Sequence, residues 1–410
     1  MADSLAPAWL IRIGEYLQEE SENQWFWFST FVVTLLVGAL WIQASLVLPG
    51  VSSVGVLDEG EIIEAVEWNA DGNSALILVG RADEAPLRLF EDSTAGNRAT
   101  FSAAETTNLT ATSMCAYSDG WLVGGKDGLV GKHDGFNFEL IALDWGNQTP
   151  ADVIDIACTD DSSGWLITGS GRQSSVHTFY DGVVSEGTEP PTESTVMTSV
   201  SQSSDGSLVI VSGYDTALAT PTLGPQGEIV IRAVGVLGQQ PNLVTLHHGA
   251  GGQIHTVAFV ESSTWGGEVD ALLAGGSSAL LLNSDSTIAD LPGVGGSTAA
   301  VIDSSGTFWF ASGESNELVS VSQRTRDAQT HTVAKSAIVD AEFGVAVGDE
   351  VVFYGTGVDG NIGALQLDPS ASSDVGRSLA RMGDLIFLLI TIFAIAVIGH
   401  AVYVKGLTPW

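Results

Sequence analysis

A glycine turn followed by a short apolar strand, which itself ends in glycine, recurs seven times along this chain. Ser118-Asp119-Gly120-Trp121-Leu122-Val123-Gly124-Gly125 is the clearest copy. The turn glycines are Gly72, Gly120, Gly164, Gly206, Gly267, Gly306 and Gly348, with spacings of 48, 44, 42, 61, 39 and 42 residues. A period of this size means that each unit is one supersecondary element. Such a unit buries its apolar surface only by stacking on its neighbours.

Every unit carries the same surroundings. An apolar strand precedes the turn, as in Val153-Ile154-Asp155-Ile156-Ala157-Cys158. Another follows the strand-ending glycine, as in Val176-His177-Thr178-Phe179-Tyr180, and closes on a tight polar turn such as Asp181-Gly182. Asp and Gly tolerate the positive φ that two-residue hairpins require. The strands are short and rich in Val, Ile and aromatics, and no helical stretch intervenes. Four strands per unit of 40–50 residues predict an all-β, seven-bladed β-propeller over 51–370.

The last unit ends at Asp368-Pro369 without an outer strand, while Val54-Gly55-Val56-Leu57 stands alone before the first. That stretch is expected to pair with the last unit and close the ring, removing the unpaired edges. The long fourth spacing predicts extended loops across 215–252, the kind of segment that often carries function. Tryptophans 68, 121, 165, 265 and 309 recur at blade positions and read as core.

Both flanks differ from the repeats. Residues 25–48 carry no charge and are long enough to cross a hydrocarbon core, with Trp25 and Trp27 at the start. Residues 385–404 form a second such run, entered at Asp384 and closed by Lys405, with a linker at 371–384 and a tail at 405–410. Residues 1–24 hold a short amphipathic helix. The expected arrangement is a propeller between two transmembrane helices in the cell membrane. Membrane lipid would then be a partner, the propeller would be extracytoplasmic and both termini cytoplasmic. The Lys and Arg counts on the two sides are nearly equal, so charge alone sets the orientation weakly.

The net charge of −35, from 49 acidic and 14 basic residues, excludes a nucleic-acid partner, which needs Lys and Arg to replace phosphate counterions. The same charge suits a salty milieu, where self-repulsion is screened, as in a halophilic or archaeal prokaryote. Cys115 and Cys158 occupy similar places in adjacent units. They read as two small buried apolar residues in preference to a disulfide, because Cys is among the most buried residue types.

The units resemble those of WD40-type and YVTN-type propellers. Blades two and three, with Gly-Trp-Leu-Ile-x-Gly followed by a strand and Asp-Gly, look most like Ycf48-type or BNR-like repeats. The Gly-His and Trp-Asp pairs of WD40 repeats are missing. So is the Ser-x-Asp-x-Gly-x-Thr-Trp box of sialidases. The resemblance implies the fold and, through Ycf48-type proteins, a role in assembling membrane complexes.

Candidate chemistry lies where innermost strands line a channel. Glu64, Asp155, His255 and Asp340 fall near equivalent places there. Carboxylates with a histidine can hold a cation such as calcium, or simply line a solvated channel, which is the preferred reading. His247, His248 and His255 match no usual metal spacing. Asn69-Ala70-Asp71-Gly72-Asn73 reads as a hairpin turn rather than a calcium loop. No nucleophile elbow, phosphate loop or zinc-protease helix is present. The chain is therefore expected to be no enzyme and to need no cofactor: a scaffold or assembly factor binding protein on the propeller face. The alternative is a tethered enzyme or ligand sensor working at the channel mouth.

Overall fold

The computed structural model describes residues 31–40, 48–55, 62–69, 74–80, 87–93, 98–103, 109–170, 172–218, 227–261, 263–275, 278–291, 293–294, 299–311, 317–333, 338–357, 362–372 and 382–396. Two compact units result, Gly50–Pro369 and the flanking segments.

Within Gly50–Pro369 there are seven four-stranded antiparallel sheets, the blades of a propeller. Their innermost strands are Ile62–Trp68, Ala111–Tyr117, Asp152–Cys158, Thr195–Gln202, Ile254–Phe259, Ala299–Ile302 and Ile338–Val347, here called blades 1 to 7 in that order. In blades 1 to 6 each strand pairs with the next in sequence.

Stacking explains the continuous apolar runs after the turns. Strand side chains alternate between faces, and a middle strand has a neighbouring blade on each face. In blade 1, Ala75 to Val79 are wholly buried. Leu76 and Leu78 pack with Met114, Trp121 and Val123 of blade 2. Ala75, Ile77 and Val79 pack instead with Val352 and Tyr354 of blade 7. The core is thus a ring of layers between blades. Burying each Leu, Ile or Val side chain contributes about 1.5–3 kcal/mol.

Ring closure follows the expectation, with a shift of position. The outer strand of blade 7 is Val51–Gly55, antiparallel to Ile362–Leu367. Val54 and Gly55 belong to it, whereas Val56 and Leu57 lie outside the described residues. The Asp368 amide donates to the Gly50 carbonyl at 2.9 Å, so the chain enters and leaves the propeller at one point. The Trp68 indole N–H donates to the Tyr354 hydroxyl at 2.9 Å, joining the first blade to the last.

The repeated glycine has two structural roles. Gly206, Gly267, Gly306 and Gly348 have φ of 70°, 71°, 79° and 60°. That left-handed conformation suits glycine. Gly120 and Gly164 instead lie in strands. A Cβ at Gly120 would stand 2.4 Å from the His133 carbonyl oxygen, and one at Gly164 would stand 2.3 Å from that of Ala157. These two are required by close backbone approach rather than by turn geometry.

The reading of the cysteines is corrected. Cys115 and Cys158 form a disulfide that joins the innermost strands of blades 2 and 3. Burial and bonding coexist, because stacked blades bring equivalent positions to a Cα separation of 5.8 Å.

In blade 4 the extra length goes partly into two eight-residue outer strands, Gly227–Val234 and Asn242–Gly249. Their connection straps onto blade 3: the Thr178 hydroxyl donates to the Gln239 carbonyl at 2.7 Å and the Thr188 hydroxyl to that of Pro241 at 2.6 Å. Residues 219–226 lie outside the described residues.

The flanks are helical at 31–40 and 382–396, the second beginning ahead of the expected span at 385. Their apolar side chains, including Leu36, Leu40, Leu389 and Ile395, are exposed. Gly38 lies against the Phe387 ring, where a Cβ would collide. Among the described residues no helix is long and apolar enough to cross a membrane. The amphipathic segment expected at 1–24, the tail at 405–410, and parts of both expected spans lie outside the described residues.

Candidate functional site

The innermost strands of all seven blades surround a central cavity of about 540 Å³. Six of the seven carry a β-bulge, the exception being blade 6. A bulge inserts an unpaired residue and re-aims its side chain. The bulged residues of blades 1 to 5 are Glu64, Thr112, Ile154, Thr198 and His255, and all five line the cavity.

Of the four residues expected here, Glu64, Asp155 and His255 line the cavity. Glu64 and His255 are both exposed, each at a bulge, and Asp155 follows the bulge of blade 3. Asp340 lies on the innermost strand of blade 7, opposite Thr356.

Asp155 is held firmly. The Val200 amide donates to Oδ2 at 2.8 Å and the Ile156 amide to Oδ1 at 3.0 Å. The Ser199 hydroxyl adds a third hydrogen bond. Burial outweighs these donors and raises the carboxyl to a pKa of about 6.

Glu67, on the innermost strand of blade 1, was not anticipated as a site residue. Ringed by protein in the channel, it has a pKa raised to about 8, first by burial and then by the charge of Asp155. It is therefore mostly protonated at neutral pH, while Asp155 is mostly ionised. Such a pair of carboxyls with separated pKa values is a common mark of a functional site. Burial also lowers the pKa of His255, which leaves its imidazole neutral. Ser113, in the lining of blade 2, is 4% exposed and its hydroxyl has no partner among the described residues. The Gln253 amide donates to the Thr198 hydroxyl at 3.1 Å.

The other histidines of interest lie elsewhere. His247 and His248 are on the outermost strand of blade 4, facing Glu228 at 3.0 Å and Asp215 at 2.8 Å. They do not join His255. Among the described residues no group of three or more His, Cys, Asp or Glu is placed to hold a metal ion. The described part of the Asn69 turn is a hairpin closure, in which the Asn69 amide donates to the Ser74 carbonyl at 2.9 Å. Tryptophans 121, 165, 265 and 309 are core residues, 1–4% exposed.

No protein-family model and no curated protein sequence matches the chain. Solved propellers match its shape. YCF48 bound to D1 peptide aligns with a TM-score of 0.52 at 12% identity, over 78% of this chain and 96% of that one. The WD40 propeller domain of Doa1 aligns at 0.50 and 10%, over 78% and 97%. The propeller domain of Myceliophteria thermophila Cps50 (Swd1) aligns at 0.50 and 9%, over 77% and 99%. At such identities the likeness shows the fold alone, a β-propeller.

Proposed function

We propose that this chain is a membrane-anchored propeller that binds a protein partner, as a scaffold or assembly factor for a membrane complex. The observation that carries the reading is a closed propeller whose chain enters and leaves at one hydrogen-bonded point, flanked in sequence by two apolar runs. Residues 25–48 and 385–404 each have the length of a span, and within them 31–40 and 385–396 are helical with exposed apolar side chains. In water such helices would be unfavourable; in lipid they would be solvated. A propeller bound to a peptide stands among the solved structures of similar shape, which supports a binding role by analogy of fold only.

The Cys115–Cys158 bond supports placing the propeller on the extracytoplasmic side, because disulfides persist in oxidising compartments. Both termini would then be cytoplasmic. Protease added to intact spheroplasts should digest the propeller and spare the tails. Protection of the propeller would reverse the orientation.

The scaffold reading is tested on the full chain. Affinity purification from cross-linked, detergent-solubilised membranes should recover a stoichiometric membrane protein. Migration of the chain alone, at the size of its own micelle, would refute it.

A further inference from the structure

We propose that the central channel receives one cationic side chain, an arginine or a lysine, from the protein partner, with Glu67 and Asp155 as its acceptors. The inference rests on the protein-binding reading and specifies the chemistry of that partner.

Among the described residues the cavity lining contains three carboxylic acids, Glu64, Glu67 and Asp155, one histidine, His255, and no lysine or arginine. Among the described residues those four are the titratable groups facing the channel, and none supplies a fixed positive charge. The Glu67 carboxyl receives no hydrogen bond from a described residue, and burial together with the charge of Asp155 keeps it protonated. Ser113 adds a buried hydroxyl without a partner. An occupant that brings its own donors gives the Glu67 carboxyl a hydrogen-bond partner that no described residue supplies.

A metal ion fits this set poorly. Both oxygens of Asp155 already accept backbone amides, and among the described residues no group of three His, Cys, Asp or Glu is placed to hold an ion. A guanidinium or ammonium fits better, because it carries its own donors and needs no coordination shell. A cavity of about 540 Å³ admits a long side chain. The net charge of −35 would draw a basic partner segment toward the propeller.

Binding must displace the Glu67 proton, which gives a readout that a structural role would not produce. The full chain in detergent micelles is titrated at pH 7 and 0.1 M KCl with a capped Gly-Arg-Gly tripeptide. Calorimetry in two buffers of different ionisation enthalpy then counts protons. The expected result is binding with release of up to one proton. Glu67→Gln should weaken binding about tenfold or more and abolish the release, and Asp155→Asn should weaken it likewise. A capped Gly-citrulline-Gly tripeptide should not bind. Equal binding of the arginine and citrulline peptides, or unchanged binding by Glu67→Gln, overturns the proposal. Glu67→Gln keeps the shape of a half-buried side chain, and its melt shows that loss of fold does not mimic the expected result. Co-purification separates the two readings. If wild type and Glu67→Gln recover the same partner equally, the channel assignment fails and the scaffold stands. If wild type recovers none, the scaffold fails and the tripeptide titration decides the channel alone.

Discussion

At the scale of single residues, Glu67 sets a stability prediction whose sign follows from proton uptake. Its pKa rises from an ordinary 4.5 to about 8 on folding. Between those values the native state holds more protons than the unfolded chain, so stability falls as pH rises. Below the unfolded value both states are protonated and the effect vanishes. Glu67→Gln should therefore match wild type near pH 4 and exceed it near pH 9, by about 2 kcal/mol. This is less than the full conversion of the shift, because water reaches the channel. Thermal melts from pH 4 to 9 measure it, and parallel curves for the two proteins would refute it. A second residue-scale test concerns ring closure. Tyr354→Phe leaves the Trp68 indole without this acceptor and should cost about 1 kcal/mol in urea unfolding. The site was half legible in sequence. Glu64, Asp155 and His255 could be placed on innermost strands by counting within the repeat. Glu67 could not, because bulges shift which residues of those strands turn inward, and bulges leave no mark in composition.

At the scale of elements, the repeat was legible because each middle strand is buried on both faces. That condition forces an uninterrupted apolar run and makes the period visible. Closure was legible for a related reason: an outer strand was missing at one end and spare at the other. The pairing of Val51–Gly55 with Ile362–Leu367 predicts that deleting residues 51–58 abolishes the single cooperative melt, since blade 7 then exposes an edge and the ring loses its clasp. A sharp calorimetric transition in the deletion would show that closure lies elsewhere. The disulfide was not legible, since the sequence gives spacing but not the inter-blade distance. It constrains a separation of 43 residues. Replacing both cysteines with serine should cost about 2–4 kcal/mol in urea unfolding. Reductant should lower the wild type to the same level and leave the double variant unmoved.

At the scale of the whole molecule, charge dominates. Forty-nine acidic residues face 14 basic ones. The exposed ion pairs include Lys132 with Asp161 and Arg326 with Glu268, and pairs at the surface contribute about 0–1 kcal/mol each. They cannot offset the repulsion among the remaining carboxylates, which opposes the compact state. Screening can: the Debye length falls from about 10 Å at 0.1 M to about 3 Å at 1 M salt. The melting temperature should therefore rise by several degrees between 0.1 and 1 M KCl and flatten beyond, once the screening length is shorter than the spacing of surface charges. Chloride is chosen over sulfate because sulfate strengthens apolar burial by a separate route. The same titration at pH 4, where the surface carboxylates are partly neutralised, provides the control, and there the salt effect should shrink. A rise of equal size at pH 4 and pH 8, or one that continues undiminished past 1 M, would assign the stabilisation to solvent exclusion rather than to the relief of like charge.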